Sequence, residues 1–326
     1  MTETLVGRRP DVPASTLITQ LTPPPHFSHA SFDSYVPDAD YPSQARARDQ
    51  VREFGRGANG GRFWGRRASA GKGLYLDGGF GVGKTHLLAA LAHQVGDDAA
   101  FGTFVEYTSL VGALGFVATR DALAQFHLVC IDEFELDDPG DTVLMSRLMR
   151  ELADAGVALA ATSNTPPGAL GTGRFAAEDF QREIQALSDA FTVVAIDGPD
   201  YRHREGVQFP PPATADQVAA ECDGPRAVCE RWRDVVDDLR HVHPSKLGAY
   251  VDGISLLGLQ DVAPLNDQAQ ALRWVALVDR LYDRDVRLIA SGDPLDQIFT
   301  PTMLAGGYRK KYLRALSRMR SMTAGE

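Results

Sequence analysis

Short apolar runs alternate with segments of helical periodicity between residues 73 and 196 of this 326-residue chain. Such alternation is typical of a parallel β-sheet covered by helices on both faces. We therefore expect an α/β fold with a parallel five-stranded core sheet. The runs predict strands at Leu74–Leu76, Thr103–Tyr107, His127–Ile131, Val157–Thr162 and Phe191–Ile196.

Proline and glycine divide the chain into three parts. Residues 1–40, which contain LTPPPHF, predict a flexible or extended arm on the surface. Residues 41–205 hold the core sheet and begin with a helical stretch at 43–54. Three prolines at 210–212 break any regular element, so residues 206–326 predict a separate C-terminal domain, a mixed α/β extension. Helices are predicted there near 214–223, 225–239, 267–284 and 307–320.

A weak internal sequence similarity, here called the internal echo, connects residues 148–164 with residues 277–293. LMRELADAGVALAATSN at 148–164 and LVDRLYDRDVRLIASGD at 277–293 align without gaps and share six of 17 positions. Because apolar periodicity alone often produces such matches, we interpret the echo as recurrence of one helix–turn–strand unit.

The charge, the apolar runs and the cysteine count exclude several classes of protein. A net charge of −10 argues against a protein that coats nucleic acid or an anionic membrane. It is still compatible with a local basic groove. No run approaches 18 apolar residues, and the N-terminus lacks the apolar core of a secretory signal. Three cysteines do not form an even disulfide framework, and Cys130 falls in a predicted buried strand. These features predict a cytoplasmic protein without membrane insertion.

The stretch GLYLDGGFGVGKTHLL carries the strongest chemical signal. Gly78, Gly83, Lys84 and Thr85 fit G-x-x-x-x-G-K-[ST], a phosphate-binding loop between a strand and a helix. Backbone N–H groups and the positive end of the helix dipole would face a polyphosphate there. Lys84 would reach the β- and γ-phosphates of ATP, and Thr85 would ligate Mg²⁺. The residues expected to contact the nucleotide are Gly78, Gly79, Phe80, Gly81, Val82, Gly83, Lys84, Thr85 and His86.

Hydrolysis also needs a carboxylate for the metal ion and a base for water, and FHLVCIDEFEL supplies both. Asp132 and Glu133 follow a predicted buried strand at the sheet edge where open α/β sheets bind their ligands. We expect Asp132 to hold Mg²⁺ through water, and Glu133 to orient and deprotonate the attacking water.

Two further groups complete the predicted site. Asn164 ends the next strand, in LAATSN, where a sensor would stand between the γ-phosphate and water. An arginine finger acting in trans would come from Arg182, in a helix that faces the neighbouring subunit in ring-forming ATPases, with Arg174 as the alternative.

With these motifs in order, the chain resembles AAA+ ATPases, which are P-loop NTPases. It is similar over most of residues 43–322 to the ZapE-type, Afg-related family. The more specific matches are DYR at Asp200–Arg202, LVDRLYDRDVRL and a terminal SRM at Ser317–Met319; GLYLDGGFGVGKT, IDEFELDDPGDT and ATSNTPP match as well.

The resemblance implies a Mg²⁺-dependent ATPase that acts as a homo-oligomer and remodels a protein client, plausibly in the division machinery. A second interpretation is a DNA helicase loader of DnaC or IstB type, because GKTHLLAALA and TSN resemble that group equally. A loader would carry a basic, aromatic-bearing surface for single-stranded DNA, for which the closest segment is GGYRKKYLRALSRMR at 306–320. A third is a module that holds ATP without hydrolysis, against which Glu133 argues.

Overall fold

The described chain forms two compact units, each with its own sheet. The computed structural model describes residues 4–59, 73–79, 81–134, 139–166, 170, 185, 188–198 and 209–324. The large unit comprises residues 13–23 and 27–203, and the small unit comprises residues 1–12, 24–26 and 204–326.

Five parallel strands form the sheet of the large unit, as the sequence predicts, in the order β2-β3-β4-β1-β5. Because β1 lies beside β4 and β4 beside β3, the carboxyl ends of these three strands meet at one edge. The strands are β1 Gly73–Gly78, β2 Ala99–Thr103, β3 Leu128–Asp132, β4 Ala158–Ser163 and β5 Phe191–Ile196.

One predicted strand is wrong. Thr103–Tyr107 is not a strand, because β2 ends at Thr103 and a helix begins at Phe104. The Thr103 hydroxyl accepts a hydrogen bond from the N–H of Glu106, whose carboxylate accepts one from the N–H of Thr103. This capping box starts a helix despite the β-favouring residues that follow Thr103.

Helices cover both faces of this sheet. Alternate residues of β1 point to opposite faces, so Leu74 and Leu76 join one apolar cluster and Tyr75 joins the other. The first cluster includes Leu87 and Leu91 of the helix that follows β1. The described helices of the large unit are α1 Ala14–Thr19, α2 Pro42–Asn59, α3 Lys84–Val95, α4 Phe104–Leu114, α5 Phe116–Leu123 and α6 Pro139–Asp154.

The small unit is built on a parallel sheet of three strands, in the order β6-β7-β8. Its strands are β6 Ala227–Arg231, β7 Leu256–Val262 and β8 Arg287–Gly292. Its helices are α7 Ala215–Glu221, α8 Trp232–Asp238, α9 Leu247–Tyr250, α10 Gln268–Asp283, α11 Pro301–Ala305 and α12 Arg309–Ala324.

The predicted helix at 225–239 is wrong in its first half. Residues Ala227–Arg231 pair with β7 as a strand, and the helix begins only at Trp232. Pairing buries Val228 completely, and this tertiary gain outweighs the helical periodicity of the segment.

Both copies of the internal echo adopt the same local structure. Residues 148–164 span the end of α6, a turn and β4, and residues 277–293 span the end of α10, a turn and β8. The predicted recurrence of one helix–turn–strand unit is therefore confirmed.

The first 40 residues are not simply a surface arm. Leu5 is fully buried in the core of the small unit, whereas Leu21, Phe32 and Tyr35 are buried in the large unit. The domain boundaries expected near residues 41 and 206 stay predictions. Among the described residues, no helix is both long enough and apolar enough to cross a membrane.

Candidate functional site

A glycine-rich loop joins β1 to α3 at the carboxyl edge of the large sheet. Gly83 precedes the first helical residue and has φ 85°, the left-handed region that favours glycine. A Cβ at Gly78 would lie 2.4 Å from the carbonyl oxygen of Ile196, so this position has no room for a side chain. These two glycines let the loop turn tightly before α3 begins at Lys84.

The ammonium group of Lys84 lies within this loop. Its Nζ donates hydrogen bonds to the carbonyl oxygens of Gly78 and Gly79, at 2.8 and 2.6 Å. It also donates to Oδ1 of Asn164, at 2.8 Å, although 80 residues separate the two in sequence. The side chains of Lys84 and Asn164, both predicted for the site, are thus in direct contact.

Thr85 and Asp132 also meet. The Thr85 hydroxyl donates to the Asp132 carboxylate, with distances of 3.2 and 3.1 Å to its two oxygens. Asp132 is the last residue of β3, and it is buried. The arrangement follows from topology, because α3 starts at the same sheet edge at which β3 ends.

Thr162 of β4 is a part of this cluster that the sequence does not single out. Its hydroxyl donates to Asp132 Oδ1 at 2.5 Å and accepts from the N–H of Glu133 at 3.1 Å. The available signal was a polar Thr162–Ser163 pair at the end of the apolar strand ALAATS, but threonine is common in strands.

Glu133 has an unusual backbone conformation. Its φ of 53° lies in the left-handed region, which non-glycine residues adopt only when their surroundings hold them there. Two hydrogen bonds do so: Glu133 N–H donates to the Thr162 hydroxyl, and Phe134 N–H donates to the Thr162 carbonyl at 2.7 Å. The next side chain, Phe134, is buried in the core. The turn therefore holds Glu133 directly after the end of β3, next to Asp132.

The loop is also held by a segment far upstream. The Tyr35 hydroxyl donates to the carbonyl oxygen of Val82 at 2.9 Å, and a Cβ at Gly83 would lie only 2.5 Å from the Tyr35 ring. His86 Nε2 lies 3.0 Å from the carbonyl oxygen of Ser31 and 3.1 Å from the Ser34 hydroxyl. No motif in the sequence predicts these contacts.

Cys130 lies in β3, two residues before Asp132, and is fully buried as predicted. Burial raises the pKa of its thiol, and the charge of Asp132 raises it further. The group therefore stays protonated and unreactive at neutral pH.

Several predicted residues lie outside the described part of the chain. They are Phe80, both candidate arginines, Arg174 and Arg182, and the DYR motif at 200–202.

The donors at this edge fit a magnesium ion better than a soft metal. Thr85 and Asp132 contribute a hydroxyl and a carboxylate, the hard oxygen ligands that Mg²⁺ prefers. Two protein ligands are enough, because Mg²⁺ is typically bound by few protein groups together with substrate phosphates. Among the described residues, no group of three or more His, Cys, Asp and Glu could hold a metal ion.

Comparison with known proteins gives a consistent result. A family model described as AFG1-like ATPase matches residues 11–246 and 249–326. Cell division protein ZapE of Escherichia coli (strain K12) is 28% identical over 317 residues, covering 82% of this chain and 83% of that protein. Lactation elevated protein 1 homolog B of Danio rerio is 26% identical over 218 residues, covering 55% of this chain and 43% of that protein.

Proposed function

Because this chain belongs to the AFG1-like ATPase family, we propose that the cluster around Lys84 and Asp132 is the site at which it hydrolyses ATP with Mg²⁺. The observation that carries the proposal is the contact between Thr85 and Asp132. It brings the end of the phosphate-loop motif and the acidic strand end to one point, as Mg²⁺-dependent phosphoryl transfer requires.

Each side chain then has a role. Lys84 neutralises charge on the β- and γ-phosphates. Two loop carbonyl oxygens and Asn164 hold its ammonium group in place for this role. Thr85 and Asp132 would hold Mg²⁺, which would supply positive charge to neutralise the phosphate oxygens. Thr162 fixes the orientation of the Asp132 carboxylate through its hydrogen bond.

Glu133 is the proposed base. It follows Asp132 directly and has a left-handed backbone, and we assign the Asp132 carboxylate to the metal ion and the Glu133 carboxylate to water. Asn164 would sense the γ-phosphate, because it already contacts the lysine that binds this group. A trans arginine, Arg182 or Arg174, and the homo-oligomer that it implies belong to the same proposal.

We further propose that hydrolysis drives remodelling of a protein client in cell division. Support comes from the relative in Escherichia coli whose name describes a cell division protein, and which aligns with most of this chain.

The Glu133→Gln variant tests the assignment of the base. The amide keeps the size of the side chain but cannot accept a proton, so we expect unchanged affinity for Mg²⁺·ATP and a loss of turnover of about 10²–10⁴-fold. Affinity is measured by calorimetric titration, and turnover by phosphate release.

The matched control is Glu53→Gln, the same chemical change on an exposed glutamate of α2 in the same unit. Full turnover in Glu133→Gln would remove this residue from catalysis, and an equal loss of affinity and turnover would indicate a structural role. Turnover is also measured with single-stranded DNA, since strong stimulation would favour a helicase loader over a protein-remodelling ATPase.

A further inference from the structure

Residues Thr4–Arg9, here called the TLVGRR segment, belong to the small unit and are bound to the rest of it, residues 209–324, as a peptide ligand is bound to a receptor. Leu5 is fully buried in the core of this unit, and Val6 packs against the same core. Gly7 has φ 87°, which turns the segment after its apolar anchor. Two arginines, Arg8 and Arg9, follow the turn.

The first receptor group is Glu230 of β6. A single carboxylate oxygen, Oε1, accepts three hydrogen bonds from the segment: from the Thr4 hydroxyl at 2.7 Å, from Leu5 N–H at 2.5 Å and from Val6 N–H at 3.0 Å. Hydrogen bonds to a charged acceptor are the strong ones, so Glu230 fixes the backbone on either side of the buried leucine.

The second receptor group is Asp238 at the end of α8. Its buried carboxylate accepts from Gly7 N–H at 3.1 Å, and from the Arg9 guanidinium, which donates to both oxygens at 3.1 and 2.6 Å. The Tyr250 hydroxyl donates to it from within the small unit at 2.8 Å. Burial would raise the pKa of Asp238, but Arg9, Tyr250 and Gly7 N–H together lower it below the ordinary value.

Arg8 completes the contact. Its Nη1 donates to the carbonyl oxygens of Tyr250 and Asp252, at 3.1 and 3.0 Å. The described hydrogen bonds between segment and receptor therefore all run one way: the segment donates, and the small unit accepts with two carboxylates and two carbonyl oxygens.

This receptor surface requires an occupant. Without the segment, Asp238 would keep only the Tyr250 hydroxyl as a described partner while buried, and a buried carboxylate without compensating charge is strongly unfavourable. The apolar site of Leu5 would also be open to water. A peptide that offers an aliphatic anchor, a glycine turn and two arginines is the ligand that this chemistry selects.

We propose that this groove is an exchange site between copies of the chain, which takes the TLVGRR segment of a second copy in place of its own. A second copy presents the same anchor, turn and arginines in the same spacing, so the contacts made in trans are identical to those made in cis. The cis-bound and trans-bound states then differ only in the conformational entropy of the chain that connects the segment to the rest of its copy. Exchange of identical elements is a low-cost route to association.

A labelled peptide of residues 1–12 tests recognition. The receptor is the full-length Leu5→Asp/Arg9→Ala variant, whose own segment can no longer compete. We expect saturable binding in fluorescence anisotropy, weaker by at least about tenfold in wild type, where the groove is filled in cis. Adding Asp238→Asn to the receptor, or Arg9→Ala to the peptide, should weaken binding by about tenfold as well.

Absence of saturable binding to a receptor variant with wild-type near-ultraviolet circular dichroism would overturn the proposal. A second measurement does not depend on the folding of the Leu5→Asp/Arg9→Ala receptor. It uses an otherwise wild-type chain with a protease site inserted between Val12 and Pro13. After cleavage, the retained segment should exchange with the labelled peptide, and retention without exchange would count equally against the proposal.

Complementation tests the second copy as the occupant. The Leu5→Asp/Arg9→Ala chain has an intact groove, and a Glu230→Gln/Asp238→Asn chain has an intact segment. By sedimentation without nucleotide, we expect a 1:1 complex in the mixture and in neither chain alone. Peptide binding without association in the mixture would show a groove that recognises the segment but does not join copies, which also overturns the proposal.

Discussion

The hydrogen bonds of Lys84 show how one residue joins distant parts of the chain. Its ammonium group contacts the loop in which it lies and the side chain of Asn164, which ends a different strand. A cation held by three oxygen acceptors is already fixed in position before a phosphate arrives, and such preorganisation lowers the entropic penalty of binding.

Replacing Lys84 with alanine should therefore abolish tight binding of ATP, because Lys84 is the only lysine or arginine in the loop of residues 78–86. We expect affinity to fall by at least about 10²-fold, measured by titration with a fluorescent ATP analogue. Lys246→Ala, in the small unit, serves as the control and should bind normally. Unchanged affinity in Lys84→Ala would remove the phosphate loop from the site.

At this scale the sequence predicts the residues that belong to a motif and misses those that support them. Lys84, Thr85 and Asp132 follow from spacing alone, and the structure places them together. Thr162 and Tyr35 contact the same cluster, but nothing in their local sequence distinguishes them from ordinary strand and loop residues. Their contribution exists only because the fold brings them close.

At the scale of elements, local capping decides where α4 begins. Thr103→Ala removes the hydroxyl that caps Glu106 N–H, and should lower the free energy of unfolding by about 1 kcal/mol. Thr108→Ala is a matched control on the same helix, where the hydroxyl bonds only to the carbonyl oxygen of Val105. Alanine there should be neutral or slightly stabilising. Equal effects in urea unfolding would argue against the capping box.

A largely buried ion cluster joins α10 to α12 in the small unit. The Asp279 carboxylate accepts from Arg314 at 2.7 Å and from Arg318. Burial would raise the pKa of Asp279, but the charges of Arg314, Arg318 and Arg280 lower it below its ordinary value. The carboxylate therefore binds its proton more weakly in the folded chain than in the unfolded one.

A lowered folded-state pKa makes this stabilisation complete above the ordinary aspartate range and lost as pH falls below about 4. Asp279→Asn should lower the free energy of unfolding at neutral pH by about 3 kcal/mol. In this variant, the free energy of unfolding should also fall less than in wild type when the pH is lowered to about 3. Urea unfolding at both pH values measures this, with the exposed Asp223→Asn as the control. If the free energy of unfolding of Asp279→Asn fell on acidification as much as that of wild type, the cluster would be excluded as the cause of the fall.

At the scale of the whole molecule, two compact units predict two responses to ligand. The phosphate loop belongs to the large unit, whereas Trp232 and Trp274 form an edge-to-face pair in the small unit, with ring centroids 4.6 Å apart. With Trp64 replaced by phenylalanine, tryptophan fluorescence reports on the small unit alone.

A saturating Mg²⁺·ATP analogue stabilises only the unit that binds it, by about 2.7 kcal/mol at a hundredfold excess over Kd. In calorimetry we expect one of two thermal transitions to move upward, while the fluorescence transition stays in place. Lys84→Ala should abolish the shift. A shift of both transitions together would show that the units unfold as one cooperative body.

Sequence by itself determined the parallel core sheet, the glycine-rich turn from β1 into α3 and the acidic end of β3. It also determined the recurrence of a helix–turn–strand unit. All of these depend on local periodicity or fixed spacing, which the chain carries within a few residues. Tertiary structure decided the rest. The strand at Ala227–Arg231 exists because β7 pairs with it, Thr162 reaches Asp132 because β4 lies beside β3, and residues 4–9 are ordered because Glu230 and Asp238 accept their hydrogen bonds. Each of these contacts joins residues far apart in sequence, so no local pattern records them.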